Sequence, residues 1–105
     1  SLPALAEHPK IAHDRIVDEH GMTLYFFDKD AAGKSMCAGG CATNWPPAMA
    51  DSYDKASGDW TLIKRDDGGL QRAYKGRPLY RWHKDMKAGD TTGDKINNVW
   101  HVAKP

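Results

Sequence analysis

Gly21-Met22-Thr23-Leu24-Tyr25-Phe26-Phe27 is answered later in the chain by Gly76-Arg77-Pro78-Leu79-Tyr80-Arg81-Trp82. Each number in the second stretch exceeds its partner by 55, as in Tyr80 against Tyr25 and Trp82 against Phe27. The same offset carries Lys29 to Lys84, Asp30 to Asp85, Trp45 to Trp100 and Ala48 to Ala103. A local turn motif does not hold register over that distance, so the chain holds two copies of one supersecondary unit. We place the copies at residues 11–56 and 66–105 of a single 105-residue domain. Ser57-Gly58-Asp59-Trp60 between them reads as connecting structure with one anchoring aromatic.

Within each copy the pattern is that of short strands. Arg15-Ile16-Val17 and Met22 to Phe27 flank a turn at Glu19-His20-Gly21. Trp60 to Lys64 and Leu70 to Tyr74 flank Asp66-Asp67-Gly68-Gly69, a strong turn signal, and Pro78 to His83 follows as a further strand. Pro78 lacks an amide donor and suits a strand's first position or an edge. Alternation puts Leu24 and Phe26 on one face and Tyr25 and Phe27 on the other. The face carrying Tyr25, Phe27, Tyr80 and Trp82 is kept in both copies while the opposite face is not, and the kept face is expected to form the shared core. The expected fold is all-β or mostly β: two fused half-repeats of short antiparallel strands and long loops about a pseudo-twofold axis.

Composition agrees with a small, aromatic-rich core. Mean hydropathy is −0.71 and 40% of residues are apolar, which is low for a folded domain. Trp45, Trp60, Trp82 and Trp100 supply the missing apolar area, since an aromatic side chain buries about 150–250 Å². Fifteen Lys and Arg against fourteen Asp and Glu leave a net charge of +1. That balance excludes the concentrated basic excess of a nucleic-acid binder. No apolar run approaches the ~20 residues of a membrane-spanning helix.

Cys37 and Cys41 are the only cysteines, separated by Ala38-Gly39-Gly40. The spacing is neither Cys-x-x-Cys nor a haem attachment, and no His-x3-5-His supplies the rest of a zinc site. A disulfide across a glycine-loosened loop is the favoured reading, and it places the chain in an oxidising compartment. Ser1 to Ala6 lack a charged region and are too short for a signal peptide, so an exported chain would have lost its leader upstream.

Tyr25-Phe26-Phe27-Asp28-Lys29-Asp30, Gly33-Lys34-Ser35-Met36-Cys37, Cys41-Ala42 and Trp45-Pro46-Pro47 together resemble the secreted-repeat lipoprotein family that carries a Tyr-x-(Phe/Trp/Tyr)-x-x-Asp motif. Tyr80-Arg81-Trp82-His83-Lys84-Asp85 is the second copy of that motif, followed by Gly89-Asp90-Thr91-Thr92-Gly93 and Val99-Trp100. The resemblance implies an exported bacterial protein of the periplasm or outer cell surface, built of tandem repeats and often tethered by lipid ahead of Ser1. It implies no activity. The second copy has Thr92 and Ile96 where the first has its cysteines, so only one disulfide can form.

Several residues invite sharper readings. Asp30 and Asp85 could converge near the pseudo-twofold axis as ligands or acid/base groups, but a duplicated Asp more often closes its own loop by accepting backbone N–H bonds. Asp28-x-Asp30-x-x-Gly33 opens like a calcium loop, yet Ala32 and Gly39 stand where ligands are needed. His20-x-Met22 and His83-x-x-Met86 are the tightest groupings of soft ligands and suit copper, although Lys75 and Arg77 replace His20 and Met22 in the second copy. Trp45-Pro46-Pro47 reads as a rigid corner, with Trp45 and Trp100 packed inward. Trp60 near Tyr53 could stack on a sugar or peptide, while core packing is the simpler role.

No nucleophile elbow, zinc-protease helix or phosphate loop is present, and no base is identified for Ser35. The expected function is therefore an exported binding or interaction module for a protein or small-molecule ligand, without a cofactor. Copper handling stands second and a small hydrolase third.

Overall fold

The computed structural model describes residues 8–105; Ser1 to Ala6, read above for a leader, lie outside them. Two short hairpins and their partners account for most of the regular structure. Strands β1 (Lys10–Ala12) and β2 (Arg15–Val17) pair antiparallel. β3 (Tyr25–Phe27) pairs antiparallel not with a neighbour in sequence but with β8 (Trp100–Val102). β4 (Met49–Ala50), β5 (Trp60–Lys64), β6 (Leu70–Tyr74) and β7 (Arg77–Pro78) form a four-stranded antiparallel sheet centred on β6. A five-residue helix α1 (Gly40–Asn44) and a 3-10 turn (Ile96–Asn98) are the only helical pieces among the described residues. The fold is mostly strands in small antiparallel sheets, as the sequence pattern predicts.

The two copies are interleaved rather than set side by side. Tyr25 and Tyr80 exchange backbone hydrogen bonds, N–H of Tyr25 to the Tyr80 carbonyl at 2.7 Å and the reverse at 3.0 Å. Around this reciprocal bridge the remaining ladder is duplicated. Ala103 N–H donates to the Leu24 carbonyl at 2.8 Å, and Ala48 N–H to Leu79 at 2.9 Å. Leu24 N–H donates to Ile16 and Leu79 N–H to Arg72, both at 3.0 Å. Asp28 N–H donates to Val99 and His83 N–H to Asn44. The offset of 55 thus survives as hydrogen-bond geometry. Gly21 and Gly76, with φ of 81° and 82°, make the matching turns in the left-handed region that glycine enters at no steric cost.

Alternation along β3 sorts the core into two clusters. Leu24 and Phe26 join Ile16, Tyr74, Leu79 and Ala103, whereas Tyr25 joins Tyr80, Trp45, Trp100 and Cys37, with Phe27 and Trp82 packed against them. The opposite face is therefore kept in part: Leu24 and its counterpart Leu79 share the first cluster, and only Phe26 against Arg81 differs. The second cluster is a stack of four rings drawn alternately from the two copies. Phe27 lies on Trp100 (4.1 Å between centroids, 10° apart), Trp100 on Trp45 (3.8 Å, 2°) and Trp45 on Trp82 (4.1 Å, 31°). Tyr25 meets Trp45 edge-on at 5.4 Å, and Tyr80 meets Trp100 edge-on at 5.2 Å. Each such pair contributes about 0.5–1.5 kcal/mol beyond the area it buries. Gly93 is required beneath the stack: a Cβ there would stand 2.9 Å from both Trp45 and Trp82.

The expected strand over Pro78 to His83 is shorter than the pattern suggests. It survives as β7 plus isolated bridges from Tyr80 to Tyr25 and Pro47, because this stretch spends its pairing on two partners at once. The second hairpin, β5 with β6, is fully paired from Trp60↔Tyr74 to Lys64↔Leu70.

Truncating a ring inside the stack should be far costlier than truncating the half-buried Trp60, which packs against the other cluster. Trp45→Ala should lose about 3–5 kcal/mol of unfolding free energy in urea titrations. A loss within 1 kcal/mol would show that the stack is not the chief source of cohesion.

Candidate functional site

The duplicated motif places its two acids on the phenols of the opposite copy. Tyr25 Oη donates to Asp85 Oδ2 at 2.6 Å, and Tyr80 Oη donates to Asp30 Oδ2 at 2.7 Å. The other carboxylate oxygens close their own loops. Asp30 Oδ1 accepts Met36 N–H at 2.6 Å, and Asp85 Oδ1 accepts the Thr92 N–H at 2.9 Å and hydroxyl at 2.6 Å. Each Asp therefore does two jobs, of which loop closure is the one expected from its residue type. Both tyrosine rings are fully buried. Burial first, and then the carboxylate accepting each phenol proton, push both phenols well above the ordinary value of 10.0. Burial likewise pushes Asp30 above the ordinary carboxylate range, against the pull of Met36 N–H, the Tyr80 phenol and the Arg65 charge.

Around Tyr80 the network extends in a way that the other copy does not repeat. Because the Tyr80 proton goes to Asp30, the Ser35 hydroxyl at 2.5 Å donates to Tyr80 Oη. Ser35 Oγ in turn accepts from Arg65 Nη1 at 3.0 Å and from Cys37 N–H at 3.3 Å. Arg65 is 5% exposed and fully engaged. It forms a two-pronged pair with Asp67 (2.7 and 2.6 Å) and donates to Gln71 Oε1 (2.8 Å) and the Cys37 carbonyl (2.7 Å). Gln71, wholly buried, passes its amide proton to the Leu79 carbonyl at 2.7 Å. That pairing raises Arg65 and lowers Asp67, each through the hydrogen bond to the other.

This is a poor arrangement for a nucleophile. A serine attacks when a base takes its proton, and Ser35 hands that proton to a phenol already occupied with a carboxylate. The network instead anchors the loop carrying Cys37. Cys37 and Cys41 form a disulfide with Cα atoms 5.2 Å apart, closing α1 onto that loop. Arg65 and Gln71 do not stand out in the sequence, and Ser35 enters there only as a nucleophile without a base. The available signal was Gln71, a polar residue at an inward position of a strand, which requires a buried partner.

The soft-ligand candidates sit in different settings. His20 is exposed and its backbone N–H donates to Asp18, whereas Met22 is 8% exposed and belongs to the core. His83 is exposed, with its ring edge-on to Trp82 at 4.7 Å and Nδ1 3.0 Å from the Asn44 carbonyl. Met86 is 82% exposed. Among the described residues no three His, Cys, Asp or Glu side chains are gathered so as to hold a metal ion.

Trp60, which has no counterpart in the first copy, stands half-buried against Tyr74 with ring centroids 4.9 Å apart. Beside it opens a cleft of about 330 Å³ walled by Pro9, Lys55, Ser57, Thr61 and Leu62. Tyr53, paired with Trp60 in the sequence reading, does not line this cleft; it is 64% exposed and donates to Asp51 at 2.9 Å.

The architecture is that of a tandem β-repeat held by reciprocal tyrosine–aspartate bonds. A family described as a secreted repeat of unknown function matches residues 14–49 and 61–104, and the chain belongs to it. The first match falls within the first copy, the second starts at residue 61 in β5 and so adds that strand to the second copy, and a secreted family sets the chain outside the cytoplasm. No curated protein and no solved structure matches the chain. No helix among the described residues is long and apolar enough to cross a membrane.

The raised phenols set a sign for alkaline stability. The folded protein keeps two protons that the unfolded chain loses near pH 10, so their contribution is complete below that pH and drains as pH rises past it. The slope is about 1.4 kcal/mol per pH unit for each phenol. Tyr25→Phe and Tyr80→Phe should each remove about one proton from the pH dependence of unfolding between about pH 10 and 12. Each should also cost about 1–3 kcal/mol at neutral pH by stripping the buried Asp85 or the half-buried Asp30 of its donor. An unchanged slope in both variants would mean that the phenols are not the groups responsible.

Proposed function

We propose that this chain is a small, non-enzymatic binding module of the bacterial cell envelope, in the periplasm or on the outer surface and tethered by lipid in its natural setting. The disulfide supports an oxidising compartment, and the secreted family supports export. The observation that carries the binding reading is the Trp60 cleft. Motif residues in both copies are consumed by contacts with the opposite copy, which leaves ligand contacts to whatever the copies do not share. Trp60 is such a residue, and it combines a flat apolar surface with the polar rim of Lys55, Ser57 and Thr61. A ligand with a flat apolar face and hydroxyls at its edge, such as a pyranose ring, fits that combination.

A panel of soluble oligosaccharides screened by thermal shift tests the reading, since a specific binder raises the melting temperature by mass action. The expected result is a dose-dependent rise, accompanied by a change in tryptophan fluorescence, that Trp60→Ala abolishes while staying folded. A rise that survives Trp60→Ala, or no rise with any member, would overturn the placement of the ligand at Trp60.

A further inference from the structure

The hydrogen-bond ladder gives residue-by-residue equivalences that the constant offset of 55 misses. Ile16 N–H donates to the Ala103 carbonyl as Arg72 N–H donates to Ala48, and Leu24 and Leu79 donate back to Ile16 and Arg72. Ile16 is therefore matched by Arg72, one position beyond the offset. In the hairpins built on these residues, Ala12↔Arg15 corresponds to Ile63↔Gln71, and Lys10↔Val17 to Thr61↔Ala73.

The two hairpins finish this shared face differently. In the second copy Ile63 and Gln71 are buried, and Arg65, from the long turn between β5 and β6, folds back onto Gln71 and carries Asp67 with it. In the first copy the turn is only His13 and Asp14, and nothing folds back. What remains is an open cleft of about 330 Å³ between the β1–β2 hairpin and the Ala88-Gly89 turn. Lys10, His13 and Arg15 line it together with the small residues Ala12, Gly21, Ala88 and Gly89, and with Val17. Among the described residues no acidic side chain lines it. Asp14 lies in the turn, and Asp90, next to Gly89, spends Oδ2 on the N–H groups of Met86 (2.9 Å) and Lys87 (3.2 Å).

Arg15 is the unusual member. It is half-buried, its Nε is buried with no hydrogen-bond partner, and it belongs to no ion pair among the described residues. Burying a guanidinium N–H without an acceptor is costly, because the group keeps its charge. The guanidinium lies against the Ala88-Gly89 turn: a Cβ on Gly89 would stand 4.0 Å from Arg15 Nη2.

We propose that this cleft binds a small amphiphilic oxyanion, with a carboxylate or phosphate head on Arg15 and Lys10 and a short alkyl body on Ala12, Val17 and Ala88. The ligand takes the place that the side chains of Arg65 and Asp67 fill in the other copy. This cleft shares no lining residue with the one at Trp60 and does not depend on it.

The test titrates the folded, isotope-labelled protein with hexyl phosphate, with inorganic phosphate and with hexyltrimethylammonium, following backbone amides by NMR. Hexyl phosphate should give saturable shifts confined to residues 10–17, 21 and 88–89, at least tenfold tighter than inorganic phosphate, and the ammonium compound none. Arg15→Gln, which installs the residue the second copy carries at this position, should fold normally and weaken binding at least tenfold. Lys10→Thr copies the second hairpin in the same way and serves should Arg15→Gln fail to fold. Equal binding by the folded variant, equal binding of the ammonium compound, or no saturable shift at these amides would overturn the proposal. So would binding to phosphatidylglycerol vesicles with no response to soluble hexyl phosphate, because the site would then read a membrane surface.

Discussion

The reciprocal bridge between Tyr25 and Tyr80 is the constraint on which the rest of the molecule depends. Two residues that exchange N–H···O=C bonds at a pseudo-twofold axis must face their rings to opposite sides of that axis. Each phenol then falls within reach of the acid of the other copy and not of its own. A motif that looks self-contained in the sequence is therefore completed only across the axis. The same crossing sets β3 against β8, so that Phe27 of the first copy meets Trp100 of the second. Neither copy buries its own aromatics: the stack exists only when the two are interleaved, and a low-hydropathy chain gains its cohesion from that interleaving.

Much of this was legible in the residues. The offset of 55 located the copies, and alternation along Leu24 to Phe27 sorted the side chains onto faces that the structure keeps. The crossing was not legible, because a repeat pattern gives equivalence and says nothing about which copy completes which. The one-residue slip between Ile16 and Arg72 was hidden for a related reason. It lies in the turn before Gly21, which spans one residue more than the turn before Gly76, and only the ladder reveals it. Arg65, beside the Asp-Asp-Gly-Gly turn, gives no local sign of burial. Its burial follows from tertiary contacts with Ser35, Cys37 and Gln71, which lie up to 30 positions away.

The copies have divided their labour unevenly. Around Tyr80 the loop is held by Ser35, Arg65 and a disulfide; around Tyr25 the same duty falls to Thr92 and the Gly93 N–H, 3.2 Å from the phenol oxygen. The cysteine position of the first copy is Thr92 in the second, where a hydroxyl bonded to Asp85 at 2.6 Å fixes the loop without a covalent link. This explains why a single disulfide suffices. It reinforces the loop that carries Ala38 and two glycines.

Symmetry also separates what maintains the fold from what is free to differ. A residue paired with its copy across the axis cannot change without its partner, because each completes the other's hydrogen bonds or stack. Residues outside that set, such as Trp60, Arg15 and the unequal hairpin turns, carry no such obligation. A buried orphan donor at Arg15 is a cost that the second copy avoids by closing the equivalent face with its own side chains. The first copy keeps both the charge and the opening, and a cost retained on one side of a duplicated frame points to a contact made with something outside the chain.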